Sequence, residues 1–190
     1  MQNKFFAVFL FAALIYTSVF SQIDSSRIFV LLTNGGPPNN RYKNAELVVN
    51  KRWGIYYKEI ASGCLVTQEM EDSMKIFNSN VYPLIAAVYG KNWETKHSAD
   101  IKSEMAVQEE IVKLLERQKY IKTKRKAKVY LEYFMKPAET KESYYVTVWG
   151  VDKINEKVGP VTYYKLFVEL LNKNIRVDSD KREPFNGSAE

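Results

Sequence analysis

The spacing of apolar residues along the chain first predicts strands. Residues 28–32 form a short apolar run, and the glycines and prolines of residues 33–40 follow it, which is typical of a strand and a loop. Residues 45–49 and 53–61 are rich in β-branched and aromatic side chains, and a polar tripeptide separates them. The sequence therefore predicts a hairpin after the first strand.

The period then changes to that of a helix. Between residues 67 and 90 the apolar positions recur at intervals of three and four, which predicts one buried helical face. The residues of this face are Met70, Met74, Phe77, Val81, Leu84 and Val88. We expect Thr67 to cap the helix, Gly90 to end it and Pro83 to kink or divide it. A second helix is predicted over residues 93–119, with Ile101, Met105, Ile111, Leu114 and Leu115 as its buried residues.

After the second helix the apolar and polar residues alternate, as they do in half-buried strands. This period of two predicts strands at residues 126–137, 144–151, 161–171 and 175–177. The order of elements predicts an α+β domain in which two helices pack on one face of a mostly antiparallel sheet. Its outline resembles the cystatin-like and NTF2-like folds, an analogy of shape that rests on no shared motif.

The first residues predict export. A basic start at Lys4 precedes the apolar residues 5–20, and Val19 and Ser21 occupy the two positions that a signal peptidase inspects. We therefore predict a signal peptide over residues 1–21, cleavage after Ser21 and a secreted or periplasmic protein. An uncleaved anchor is the alternative, although the apolar run is shorter than the roughly 20 residues that span a bilayer. No transmembrane segment is expected after removal of the signal.

The rest of the chain predicts one domain with a short tail. The domain is expected over residues 22–177, and its hydrophobic content is sufficient for a sizeable core. The polar residues 178–190 are expected to form a flexible tail.

Composition excludes several kinds of site. The 190 residues include one cysteine, Cys64, and one histidine, His97. Transition-metal sites use two or more such ligands, so no metal and no cofactor are expected. A cysteine nucleophile needs a nearby base, and Cys64 with His97 is the candidate pair for catalysis. Core packing is the interpretation that we favour for Cys64.

Basic residues are concentrated in one tract of a chain whose formal net charge is +6. Residues 113–128 contain a single acid, Glu116. Cations favour the last turn of a helix, but residues 122–128 exceed what a helix end needs. The tract therefore indicates a weak polyanion contact, and the export signal argues against nucleic acid as the partner. The candidate anion-binding residues are Lys119, Lys122, Lys124, Arg125, Lys126 and Lys128.

Aromatic residues are dense in the predicted strands. The tyrosine pairs at residues 56–57, 144–145 and 163–164 are each expected to place one ring on either face of a sheet. Such rings stabilise a sheet through cross-strand pairs, and an exposed stripe of them also binds proteins, glycans or apolar ligands. The candidate surface residues are Tyr56, Tyr145, Trp149 and Tyr164.

These patterns favour a non-catalytic binding or interaction module of the cell envelope or extracellular space, with an unidentified protein or envelope component as partner. Two alternatives remain open. The first is a hydrolase that uses Cys64 and His97, or carboxylates that the sequence does not locate. The second is a carrier of an apolar small ligand, which requires a cavity between the helices and the sheet.

Overall fold

The computed structural model describes residues 28–35, 40–62, 66–140, 142–154 and 157–185. The predicted signal peptide and Cys64 lie outside these ranges. The elements in chain order are β1 (Phe29–Gly35), α1 (Asn40–Trp53), β2 (Ile55–Ser62), α2 (Gln68–Tyr89), α3 (Trp93–Glu116), α4 (Lys119–Lys126), β3 (Glu132–Pro137), β4 (Ser143–Ile154), β5 (Lys157–Glu169), β6 (Asn174–Ser179) and β7 (Glu183–Pro184). Within the described residues, no helix combines the length and apolar character that crossing a membrane requires.

The predicted hairpin is wrong, because β1 and β2 run parallel and helix α1 connects them. Parallel strands cannot be joined by a tight turn and need a crossover segment. Ala45, Val48 and Val49 are buried at helical spacing, and α1 rests on α3 through Ala45, Val49 and Ile101. A short apolar run reads equally well as strand or helix, which explains the error.

Helix α2 has the ends that the sequence predicts, and Pro83 does not divide it. The Thr67 side chain accepts a hydrogen bond from the Met70 backbone N–H at 3.3 Å. Gly90 ends the helix with a φ of 90°, a left-handed backbone conformation that favours glycine. Both caps are confirmed.

The buried face of α2 differs from the predicted one. Met74 and Ile85 are buried, whereas Phe77 is 43% exposed and Leu84 is 58% exposed. The reason lies in Asn78, whose side chain accepts a hydrogen bond from the Leu32 N–H at 2.8 Å and donates one to the Leu32 carbonyl at 2.9 Å. The amide thus pairs with the backbone of β1, and a polar residue occupies the face that packs on that strand.

The helix predicted over residues 93–119 is α3, and a further helix, α4, follows it where the sequence predicts no helix. Helix α3 ends at Glu116, and α4 begins after Gln118, whose backbone is extended. Together with α1, which the sequence predicts as a strand, the described residues contain four helices rather than two, and much of the basic tract is helical.

The strands predicted in the second half form an antiparallel sheet in the order β3-β4-β5-β6, with β7 paired to β5. The first of them begins at Glu132 rather than at residue 126, which belongs to α4. Helices α3 and α4 pack on one face of it. The resulting core contains Ile111, Leu115, Ile121, Leu131, Met135, Tyr144, Val146, Val148, Val161, Tyr163, Leu166 and Val168. The fold is α+β, as the sequence predicts. Part of the predicted tail, residues 178–185, contributes to this sheet, and residues 186–190 lie outside the described ranges.

A β-bulge changes the orientation of one tyrosine pair. Val148 pairs with Tyr164, but the next residue of β4, Trp149, pairs with Thr162, so β5 contains one extra residue. The Tyr164 ring lies 4.8 Å from that of Tyr120 in α4, and Tyr163 is also buried against the helices. Both rings therefore lie on the helix side, and the expectation that they point to opposite faces is wrong.

Candidate binding surface

The open face of the antiparallel sheet is built by the cross-strand register. Paired residues of neighbouring antiparallel strands point to the same side of the sheet. One row across four strands consists of Lys136, Tyr145, Phe167 and Arg176. The next row consists of Phe134, Thr147 and Lys165. In the first row two rings thus lie side by side between two cations.

The first row is an exposed ladder of rings and cations. Tyr145 is 51% exposed, and its ring centre lies 5.3 Å from that of Phe167. The Arg176 guanidinium lies 4.8 Å from the centre of the Phe167 ring, within cation–π range. The Lys136 ammonium lies 5.7 Å from the Phe134 ring. The cations therefore lie along the aromatic surface.

The end of the described chain forms one wall of this surface. Phe185 stacks on Trp149 with ring centres 4.6 Å apart and an angle of 4° between the planes. Its ring also meets Phe134 edge to face at 6.5 Å. The Phe185 N–H donates to the Pro160 carbonyl at 2.9 Å, which holds the backbone in place. The sequence pattern contains no signal for this contact, because it depends on the return of the chain to β5.

Between this wall and the ladder lies an open groove of about 520 Å³. Its lining consists of Phe134, Lys136, Tyr145, Thr147, Thr162, Lys165, Glu183, Pro184 and Phe185. Lys165 forms an exposed ion pair with Glu183 at 2.6 Å. The groove offers flat rings for stacking, hydroxyls for hydrogen bonds and ammonium groups for anions. This combination suits the binding of an extended ligand.

The structure brings together only part of the predicted aromatic surface. Tyr145 and Trp149 lie on the open face. Tyr164 lies on the helix side, and Tyr56, which is 60% exposed, belongs to β2 in the other sheet. The sequence pattern gives no sign that further residues belong to this face, because their proximity follows from strand register and, for Phe185, from the return of the chain to β5. These residues are Phe134, Phe167, Phe185, Lys136, Lys165 and Arg176.

The predicted anion-binding residues fall into two groups, those that contact other side chains and those that are exposed. Arg125 binds Glu116 at 2.7 Å, and the Lys124 ammonium lies 4.5 Å from the centre of the Tyr163 ring. Burial opposes the ionised form of Glu116, but hydrogen bonds from Arg125 and Tyr133 hold the pKa of this carboxyl below its usual value. The side chains of Lys119, Lys122, Lys126 and Lys128 are exposed.

His97 is buried in an aromatic cluster. Its Nε2 atom lies 2.8 Å from Asn50 Oδ1, and its ring centre lies 5.3 Å from that of Trp53. Burial lowers the pKa of His97, and the Asp100 carboxylate opposes this effect. Because Cys64 lies outside the described residues, the proposed pair remains a prediction. Within the described ranges, no group of three or more His, Cys, Asp or Glu side chains could hold a metal ion.

A buried polar cluster connects α1, α3 and the antiparallel sheet. Glu104 Oε1 accepts hydrogen bonds from the Tyr144 hydroxyl at 3.0 Å and from the Gln108 amide at 3.1 Å. Glu104 Oε2 accepts one from Arg52. The Asn44 side chain donates to Gln108 at 3.0 Å and accepts from the Met135 N–H at 3.3 Å. Its members satisfy one another, so we interpret this Glu104 network as structural.

A second groove, of about 930 Å³, lies between α3 and β3. Met105, Val112 and Met135 line it together with the charged side chains of Arg41 and Lys102. It lies where the carrier alternative requires a cavity, but charged groups are poor partners for an apolar ligand.

Comparison of the chain with protein-family models, with curated proteins and with solved structures finds no match. Its function is therefore inferred from its own residues.

Proposed function

We propose that the chain is an exported, non-catalytic binding module of the cell envelope or extracellular space, and that its open sheet face binds an acidic, extended segment of a protein partner. The observation that carries this proposal is the row of Lys136, Tyr145, Phe167 and Arg176. Export by the predicted signal over residues 1–21 is part of the same proposal.

The dimensions of the row support an extended ligand. Neighbouring strands lie about 4.8 Å apart, so a row across four strands measures roughly 14 Å. This is the length of about four residues of extended chain. A peptide that crosses the strands can therefore place carboxylates near the terminal cations and an apolar side chain between them, on the rings of Tyr145 and Phe167.

The charges on this face favour an acidic ligand. Lys165 pairs with Glu183, and Arg176 pairs with Asp178 at 2.6 Å. Both pairs are exposed, and exposed ion pairs contribute only about 0–1 kcal/mol to stability. A carboxylate of the ligand can therefore replace the internal partner at low cost.

The aromatic residues are expected to dominate the affinity. Tyrosine, tryptophan and arginine are the side chains that most often carry binding energy at protein interfaces. Tyr145 lies in the middle of the row, at the edge of the groove, and combines a ring with a free surface on its open side. It is therefore the residue to change first.

A random peptide library displayed on phage tests the proposal when it is selected on the exported chain. Selected peptides are expected to be acidic and to carry at least one aromatic or aliphatic side chain. Tyr145→Ala is expected to weaken the binding of a selected peptide about tenfold or more, measured by calorimetry.

Tyr56→Ala is the matched control, because Tyr56 is a similarly exposed tyrosine on a strand of the other sheet. It should leave the affinity unchanged. Equal losses in the two variants, or selection of basic peptides, would contradict the proposal.

A further inference from the structure

Helix α4 separates the basic tract into two sets of cations. Arg125 binds Glu116 through Nε and Nη2 and also donates to the Leu131 carbonyl at 3.2 Å. Lys124 covers the ring of Tyr163. These two cations point toward the sheet and hold the helix against it.

Four further lysines of the tract form an exposed ridge, which we call the cationic ridge: Lys119, Lys122, Lys126 and Lys128. Of the other two cations, Lys113 pairs with Glu110 at 3.0 Å, and Arg117 lies exposed at the end of α3. The first three lysines of the ridge are spaced by three and four residues and lie on one side of α4, opposite Ile121, which is fully buried. Among the described residues, none of the four side chains has a hydrogen-bond or ion-pair partner.

Two acids close to α4 are already paired, and a third, Asp180, lies near Tyr164 on the neighbouring sheet. No acid occurs between residues 117 and 128, and Glu116 is bound by Arg125. On the neighbouring sheet, Asp152 binds Arg182 at 2.7 Å and accepts a hydrogen bond from the Tyr163 hydroxyl at 2.8 Å. Among the described residues, no ion pair therefore offsets the charge of these four lysines.

We propose that the cationic ridge binds the anionic surface of a lipid bilayer. Lysine is a compact point charge that suits lipid phosphates and carboxylates, and clustered lysines are attracted to anionic leaflets. Proteins that bind single-stranded nucleic acid add aromatic or arginine side chains that stack on bases, whereas the four ridge residues are all lysines.

Attachment through the ridge orients the molecule. Helix α4 contacts the face of the sheet that carries Tyr163 and Tyr164, whereas the groove lies on the opposite face. A bilayer against α4 therefore leaves the groove accessible. This inference does not depend on the peptide proposal, since the two surfaces share no residue.

Vesicle sedimentation tests the inference with residues 22–190, the chain that remains after the predicted cleavage. Vesicles of phosphatidylcholine alone are compared with vesicles that contain about 30% phosphatidylglycerol, at about 0.1 M salt. The chain is expected to bind the anionic vesicles, and binding should fall steeply as salt is raised. Any insertion of apolar residues into the bilayer contributes equally to binding of both kinds of vesicle. The difference in binding between them therefore measures the electrostatic contribution.

The test variant combines Lys119→Gln, Lys122→Gln and Lys126→Gln. Each lysine near an anionic surface is expected to contribute about fivefold, so the variant should lose roughly 100-fold in partitioning. Its melting temperature should be unchanged, because the substitutions remove no contact between described residues.

The control variant combines Lys51→Gln, Lys58→Gln and Lys91→Gln, which are exposed lysines on α1, β2 and the turn before α3. It has the same net charge as the test variant and should lose less than about threefold. Equal losses would show a response to net charge alone and overturn the inference. Failure to bind anionic vesicles, or binding of a duplex DNA fragment through the ridge without binding of vesicles, would also overturn it.

Discussion

His97 shows how burial assigns a role to a single side chain. The ring is enclosed by Trp53, Trp93 and Tyr57 and hydrogen-bonded to Asn50. A neutral imidazole satisfies this environment, whereas the charged form loses its hydration there. Desolvation therefore lowers the pKa of His97 despite the opposing charge of Asp100.

The buried imidazole predicts a dependence of stability on pH. Because the pKa is lower in the folded state, the unfolded state binds more protons near pH 6.5, and stability rises with pH. The contribution of neutral His97 to the free energy of unfolding is complete above pH 6.5, about the pKa of histidine in the unfolded state. It is lost as the pH falls through the lower pKa that His97 has in the folded state. Urea unfolding between pH 7 and 5 should show this loss.

His97→Gln provides the comparison, since glutamine retains a hydrogen-bond donor for Asn50 but does not titrate. Its stability should depend less on pH over the same range, and the dependence that remains belongs to carboxyl groups such as Glu46, whose pKa is raised by burial. The chain contains no other histidine, so an unchanged slope in this variant would show that His97 is not the group responsible.

Helix α2 shows that an element can be predicted while its buried face is not. Hydrophobic periodicity locates the helix, and Thr67 and Gly90 locate its ends, because caps act through neighbouring residues. The face that packs is chosen by β1, whose Leu32 backbone pairs with Asn78. Phe77 and Leu84 consequently lie beside the contact rather than in it.

This difference predicts unequal effects of a buried charge. Met74→Asp should reduce the free energy of unfolding by about 3 kcal/mol or more, because it places a carboxylate in a closed contact. Phe77→Asp should cost about 1 kcal/mol or less, because its side chain reaches water. Urea denaturation measures both. A larger loss of stability for Phe77→Asp than for Met74→Asp would show that the predicted apolar stripe is the packed face after all.

Across the molecule, the β1–α1–β2 unit and the antiparallel sheet are joined through α1 and α3. Ala45 and Val49 pack on Ile101, and the Glu104 network continues this contact to β3 and β4. Burial raises the pKa of Tyr144, and the Glu104 carboxylate raises it further. The tyrosine therefore remains a donor to Glu104 throughout the ordinary range of pH.

Removal of the Glu104 carboxylate, which accepts the hydrogen bonds of this network, should weaken the connection between the β1–α1–β2 unit and the antiparallel sheet. Glu104→Ala leaves the Tyr144 hydroxyl and the Gln108 amide without a partner, and we expect a loss of about 3 kcal/mol or more in the free energy of unfolding. Glu109→Ala, on the exposed side of the same helix, is the control and should change stability by less than about 0.5 kcal/mol. Similar losses in guanidinium unfolding would contradict the structural role of the network.

The strands of the antiparallel sheet, the caps of α2 and the α+β class follow from the sequence alone. Each depends on side chains a few residues apart, whose spacing and burial preferences are readable along the chain. The basic tract and the aromatic strands are readable in the same way, and they indicate the two regions from which the proposed surfaces come.

Tertiary structure decides which of those residues act together. Register places Lys136 beside Tyr145 and Phe167 beside Arg176, and the bulge in β5 places Tyr163 as well as Tyr164 on the helix side. Packing of α4 engages Lys124 and Arg125 and leaves the other lysines of the tract exposed. These assignments depend on contacts between segments that are far apart in the sequence. No local sequence pattern relates the residues that share the free energy of a strand pairing or a helix contact, so the sequence alone does not show which of them meet.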